Sequence, residues 1–223
     1  MRDTPKPDRR SIRLKGYNYA DDGEYFLTIC VHERRLLFGE VRDGQMRLNE
    51  AGRMVEREWH ALPQRFQGVE LDQFIVMPNH VHGVLGLTGG GEPCVRPVSN
   101  AQATTGEDKL RPYGTLPDTV GRIVQAFKSI TTNGYIDGVK RLGWPRFNRN
   151  VWQPNYYDHI IRNDHAMDLI REYVFTNPQR WAEDHENPSS QGSDDVRSFI
   201  RALETLRDEE GEHKVRPYGG QRG

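Results

Sequence analysis

The sequence predicts an α+β fold built on a mainly antiparallel sheet flanked by helices. Three observations point there: runs of strand character come in close succession, stretches of helical periodicity fall between them, and strict strand–helix alternation is missing. Glu24 to Val31 is rich in β-branched and aromatic residues, and Leu36 to Val41 follows after the polar stretch His32 to Arg35, so the pair reads as a hairpin. Asp43-Gly44 then turns the chain into Gln45 to Leu48 and extends the meander. Asn49 can cap a helix over about 50–62, where Met54, Val55, Trp59 and Leu62 recur at helical spacing before Pro63 ends it.

Val69 to Met77 and Val81 to Leu87 read as two further strands that meet at Pro78-Asn79, because proline cannot donate to a central ladder. Gly89-Gly90-Gly91 opens a polar stretch reaching Gly114, longer than ordinary connections and expected to be a flexible insertion. It contains Lys-Leu-Arg-Pro-Tyr-Gly at 109–114, echoed by Lys-Val-Arg-Pro-Tyr-Gly at 214–219, too few copies for a repeat architecture. Pro117 suits the first turn of a helix whose Val120, Ile123, Val124, Phe127 and Ile130 share a face, with Asn133-Gly134 as its stop. A short strand around Tyr156 to Ile161 precedes a helix capped by Asp164, running from His165 to about Thr176 and closed by Asn177-Pro178. A last helix begins at Ser193, with Val196, Phe199, Ile200, Leu203 and Leu206 as its apolar stripe. The expected organisation is a basic arm over 1–19, a central domain over 20–181 carrying an insertion at 88–116, and an acidic helical tail with a disordered C-terminus over 182–223.

At 223 residues, 35% hydrophobic and 28% charged, the chain fits one domain with extensions, or two small ones. Its longest apolar run, Phe74 to Met77, falls far short of the roughly 20 residues a membrane-spanning helix needs. A polar, charged start and two cysteines, Cys30 and Cys94, fit neither a secretory leader nor a disulfide framework, so a cytoplasmic location and no membrane partner are expected. The net charge of −1 conceals +4 over residues 1–19, +5 over 121–162 and −7 over 182–213. Local rather than total charge governs phosphate binding, so the basic segments point to nucleic acid, with solvated faces as the other reading.

His80-Val81-His82 heads a strand, and a period of two puts both imidazoles on one face with Val81 on the other. Such a pair can share a divalent ion or arise by accident. Tyr173 and Asn177 are four residues apart and lie one above the other on a helix. The Asn177 carbonyl is a hard ligand that, with two imidazoles, leaves positions for water and substrate oxygen, as Mg²⁺ or Mn²⁺ accept. An activated Tyr173 hydroxyl can attack phosphorus. Equally, a helical tyrosine can serve the core, and an asparagine before proline can end a helix. Arg9, Arg10, Arg13 and Lys15 on the arm, Lys128 on its helix, and Arg146 and Arg149 in the following loop are the candidate DNA contacts, each with a solvated alternative. Tyr156, Tyr157 and His159 are weaker candidates for the site, and Phe147 and Trp152 suit either base stacking or the core.

Phe74-Ile75-Val76-Met77-Pro78-Asn79-His80-Val81-His82-Gly83, followed about ninety residues later by Tyr157-Asp158-His159-Ile160-Ile161-Arg162-Asn163 and Ile170-Arg171-Glu172-Tyr173-Val174-Phe175-Thr176-Asn177-Pro178, resembles the REP-associated tyrosine transposases, relatives of the single-tyrosine HUH transposases. The likeness extends from about Arg9 to Trp181 and includes Arg9-Arg10-Ser11-Ile12-Arg13-Leu14 and Asn49-Glu50-Ala51-Gly52-Arg53. It implies a ferredoxin-like antiparallel sheet, His80, His82 and Asn177 as ligands of Mg²⁺ or Mn²⁺, and Tyr173 as nucleophile. It further implies hairpin-bearing single-stranded DNA as substrate, cut through a 5′-phosphotyrosine and rejoined by strand transfer. Apart from the resemblance, a monomer or a homodimer is expected. A related HUH nuclease of replication or plasmid transfer, and a non-catalytic hairpin-binding regulator, are the alternative readings.

Overall fold

The computed structural model describes residues 22–88, 119–190, 192 and 196–212, with side chains in the last segment described to Thr205. The basic arm with Arg9, Arg10, Arg13 and Lys15, residues 89–118 and both six-residue echoes lie outside the described residues. The strands are β1 (Gly23–Cys30), β2 (Gly39–Arg42), β3 (Gln45–Leu48), β4 (Val69–Val76), β5 (His80–Leu87) and β6 (Tyr157–Ile161). The helices are α1 (Glu50–His60), α2 (Leu62–Arg65), α3 (Val120–Arg141), α4 (Asp164–Arg180) and α5 (Val196–Glu212).

The fold is α+β, with a four-stranded antiparallel sheet in the order β4-β5-β1-β6 and a separate β2-β3 hairpin. Counted in chain order within the larger sheet, the strands run 4-1-3-2 from the β6 edge, the ferredoxin-like arrangement. The expected pairing of Glu24–Val31 with Leu36–Val41 does not form. β1 is instead the partner of β5 and β6, while β2 pairs with β3 across the Asp43-Gly44 turn. Local adjacency suggested a hairpin, but β1 is almost wholly buried and needs a ladder on both edges.

Alternation along β1 and β5 sorts two cores. Tyr25, Leu27, Ile29, Val81 and Leu85 face α1 and α3, where Trp59 stacks on Phe74 at 4.6 Å between ring centroids. Phe26 and Val84 face the opposite side, against Ile170, Tyr173 and Val174 of α4 and Val196 and Leu203 of α5. The central strand β5 is tied closely to the first core at Gly83, where a Cβ would lie 2.4 Å from the Trp59 ring. Asn49 caps α1 as expected, its side-chain oxygen accepting from Gly52 N at 2.9 Å, a contact of about 1 kcal/mol.

Two helices outrun their expected ends. α3 continues through Asn133-Gly134 to Arg141, because its glycines answer packing rather than termination: a Cβ on Gly138 would sit 2.1 Å from the Trp144 ring. α4 starts from an Asn163 cap, whose side chain accepts from Ala166 N at 2.7 Å, rather than from Asp164, and carries Pro178 inside its last turn. A bidentate Arg171–Asp72 pair, at 2.6 and 3.0 Å, ties α4 to β4. Asp72 sits where the β4–β5 register shifts between Leu71 and Phe74, and such irregularities re-aim side chains. No helix among the described residues is long and apolar enough to cross a membrane.

Candidate active site

His80 and His82 stand opposite Cys30 and Thr28 in the β1–β5 ladder, at the β5 end nearest α4. Both are buried, at 1% and 2% exposure, with ring centroids 4.5 Å apart. α4 brings Tyr173 over this face, its ring centroid 5.3 Å from that of His82. One turn later Asn177 is 2% exposed and its side chain approaches His80. Thus a strand period of two and a helical spacing of four deliver four polar side chains to one buried place.

Each ring nitrogen can be accounted for. Asn79 donates through Nδ2 to the carbonyls of Arg34 and Glu186, at 3.0 and 2.6 Å, so its Oδ1 is the acceptor facing His80 Nδ1 at 3.0 Å. His80 therefore carries its proton on Nδ1 and presents a lone pair at Nε2. His82 Nδ1 lies 2.9 Å from Thr28 Oγ1, and donation there leaves Nε2 as the lone pair. His80 Nε2, His82 Nε2 and Asn177 Oδ1 are buried without a hydrogen-bond partner among the described residues. Buried acceptors are costly when unmade, so this trio suits a cation that all three can bond. No three His, Cys, Asp or Glu side chains among the described residues form a metal-binding group, which leaves the amide oxygen as an essential part of the set.

Burial pushes both histidines below their ordinary range, His80 to about 3, where the approach of Asn177 only partly opposes the shift; for His82 the charge of His80 adds to it. Both are neutral at pH 7, the form in which an imidazole binds a metal. The unfolded chain takes up protons below the ordinary value of 6.5 while the folded one resists them until near 3. Stability is therefore full above 6.5 and is lost as the pH falls toward 3. From pH 7 to 5 the metal-free protein should lose on the order of 2 kcal/mol through His80 alone. A denaturant midpoint that stays constant over that interval, in wild type as in His80→Gln, would contradict this origin.

The segment after α4 and the helix α5 close the site. Trp181 lies 6.1 Å from His80 between ring centroids, and Asp184 Oδ2 lies 3.7 Å from His80 Nε2. Phe199 of α5 stacks on Tyr173 at 4.1 Å, nearly parallel, and the Arg180 guanidinium sits 5.4 Å from the centroid of the Tyr173 ring. Tyr173 is 5% exposed. Sequence reasoning passed over Asn79 as a strand joint, Thr28 as a strand residue and Asp184 as part of an acidic tail. Only the pairing of β1 with β5, and the path beyond α4, gives them their places.

The remaining candidates are dispersed. Lys128 is drawn inward, donating to the carbonyls of Gln153 and Asn155 at 2.8 and 2.9 Å, and burial lowers its pKa to about 8. Arg146 and Arg149 are exposed on the loop after α3, away from the histidine pair in the chain. Tyr157 lies beside Thr28 in the ladder and meets Arg197 of α5, while His159 is opposite Phe26. Phe147 packs on Tyr135, and Trp152 is buried and donates to Thr131, so both serve the core.

No family model matches the chain. An uncharacterized protein of Haemophilus influenzae is 38% identical over 179 residues, covering 79% of this chain and 91% of that protein. Among solved structures, a REP-associated tyrosine transposase bound to a REP hairpin is similar with a TM-score of 0.47 and 18% identity, over 76% of this chain and 73% of that one.

Proposed function

The chain belongs to one family with the uncharacterized Haemophilus influenzae protein, and we propose that its site cuts and rejoins single-stranded DNA at hairpin-flanked sequences through a covalent tyrosine intermediate. The observation that carries this reading is the meeting of Tyr173 with His80, His82 and Asn177 in one buried place, with three of the four offering unpaired acceptors. The motif resemblance in the sequence supplies the substrate class.

His80, His82 and Asn177 would hold Mg²⁺ or Mn²⁺, which when bound supplies Lewis-acid polarisation of a phosphodiester. The residues do the rest. Asn79 and Thr28 fix the two rings so that Nε2 faces the site. Tyr173 Oη attacks phosphorus, the bond to the 3′ oxygen breaks, and the DNA leaves a free 3′-hydroxyl beside a 5′-phosphotyrosine. Attack of a 3′-hydroxyl on that linkage reverses the step and joins strands, so the bond energy is kept and no nucleotide cofactor is consumed. The basic arm, Arg146 and Arg149 remain the candidate phosphate contacts, whereas the Lys128 ammonium is spent on the carbonyls of Gln153, Pro154 and Asn155. Phe199 and Arg180 lie against the Tyr173 ring and hold it in place.

The test is direct. A labelled oligonucleotide carrying a hairpin and a single-stranded flank, incubated with the protein and Mn²⁺, should yield a species that stays joined to the protein through denaturing electrophoresis. Tight hairpin binding with no such species in saturating Mn²⁺ would instead identify a non-catalytic binder.

A further inference from the structure

We propose that the turn from Lys140 to Arg149, with Arg35 beside it, is a docking surface for the sugar–phosphate backbone of double-stranded DNA, and so takes the paired stem of a hairpin rather than its single-stranded flank. The inference rests on reading the chain as an enzyme of hairpin-flanked DNA and adds to it the place where the paired part of the substrate sits.

Charge marks the surface. Lys140, Arg141, Arg146 and Arg149 are exposed, and residues 140–150 contain no acidic side chain. Arg35 lies beside them: its charge reaches the Tyr135 phenol, which donates to Pro145 O at 3.0 Å. The ion pairs among the described residues engage none of these five cations. The acids that meet the turn are held by hydrogen bonds of its own side chains, Glu50 accepting from Trp144 Nε1 at 3.1 Å and Glu33 from Asn148 Nδ2 at 3.3 Å. A cluster of cations without carboxylate partners attracts a polyanion.

The aromatic residues decide which form of DNA the surface fits. A single strand is gripped by stacking its bases on exposed rings. Here both rings of the turn are packed inward, Trp144 on Tyr135 at 5.3 Å between centroids and Phe147 on the same ring at 5.6 Å. Ammonium and guanidinium groups are left facing solvent, a surface for phosphates and not for bases. Gly143, at φ +71°, reverses the chain after α3, and the Tyr135 and Asn148 bonds fix the turn before any DNA arrives. Arg149 is itself left-handed at φ +60°, costly for an arginine, and such outliers gather at binding sites.

Position connects the surface to the chemistry. Gln153 N donates to Cys30 O and His32 N to Val151 O, both at 2.8 Å, on the β1 edge away from β5, while Cys30 stands opposite His80 in the β1–β5 ladder. The chain leading out of the turn therefore runs two strand spacings, roughly 10 Å, from the His80 backbone. A stem seated on the turn leaves its unpaired end within a few nucleotides of Tyr173.

Fluorescence anisotropy of the full chain in EDTA tests this apart from cleavage, with two labelled oligonucleotides of equal length: a hairpin with an unpaired flank, and the same bases reordered so that no stem forms. Arg146→Gln combined with Arg149→Gln should weaken hairpin binding by about tenfold or more and reduce the slope of log affinity against log salt by about one per residue, while the unpaired oligonucleotide binds as it does to wild type. Lysine at both positions should recover most of the affinity, because backbone phosphates answer to charge. Wild-type hairpin affinity in the glutamine variant overturns the proposal, as does a loss that lysine does not relieve, which marks packing. An equal loss on both oligonucleotides overturns the assignment to the paired stem. Adduct formation in Mn²⁺ keeps the two levels apart: no adduct from wild type beside a hairpin-specific loss in the glutamine variant defeats the cleavage reading alone, whereas adducts beside unaltered binding defeat this surface alone.

Discussion

Replacing Tyr173 by Phe should eliminate covalent protein–DNA adducts and lower strand cleavage by about 10⁴-fold or more, the scale of losing a nucleophile that acts as part of a unit. The substitution is clean for structural reasons. The ring carries the packing: it stacks on Phe199, meets Phe26 edge-on at 6.0 Å between centroids and lies against His82. A phenylalanine keeps those contacts and removes one oxygen, so folding, hairpin binding and Mn²⁺ binding should all persist. Retention of adducts at wild-type level would move the nucleophile elsewhere. Tyr157, on the same side of the sheet beside Thr28, is then the next residue to replace.

The second large effect is expected at His80. Replacement by Ala should abolish Mn²⁺ binding and cleavage together, because one change removes a ligand and releases Asn79 and Asp184 from the ring that lies between them. The fold should tolerate it better than most buried truncations. The wild-type protein already holds an unpaired Nε2 there, and the metal-free variant escapes that cost, which offsets part of the cavity left behind. Cleavage by His80→Ala at a substantial fraction of the wild-type rate, in Mn²⁺ or Mg²⁺, would remove the imidazole from the chemistry. A loss of cleavage with metal affinity unchanged would leave it a positioning role only.

What could be read in the sequence follows from the range of the forces involved. The alternation of His80, Val81 and His82 needs only the pleat of one strand, and the pairing of Tyr173 with Asn177 needs only the pitch of one helix, so both were legible. The Asn49 cap is likewise a contact over three residues. Partnership between distant segments was not. β1 carries no local mark that it belongs beside β5 and β6 rather than beside the next strand-like run. Glycine and proline misled in the same manner: Gly134 read as a terminator although its value lies in close packing against Met54, and Pro178 read as a stop although α4 runs on to Arg180. Asp184 disappeared into a charge total, since an acidic count over thirty residues does not distinguish a carboxylate facing solvent from one facing an imidazole.

The side chains gathered at the site come from strands near residues 28 and 80 and from a helix that ends at 180, with the Asp184 turn beyond it. No growing polypeptide that stops short of this turn can assemble them. On the ribosome, the histidine strand emerges nearly a hundred residues before its helical counterpart, and the long separation makes their encounter a late event in folding. A chain interrupted before α4 therefore displays imidazoles without a phenol to serve, and the full set comes into being only once the turn beyond α4 has been made.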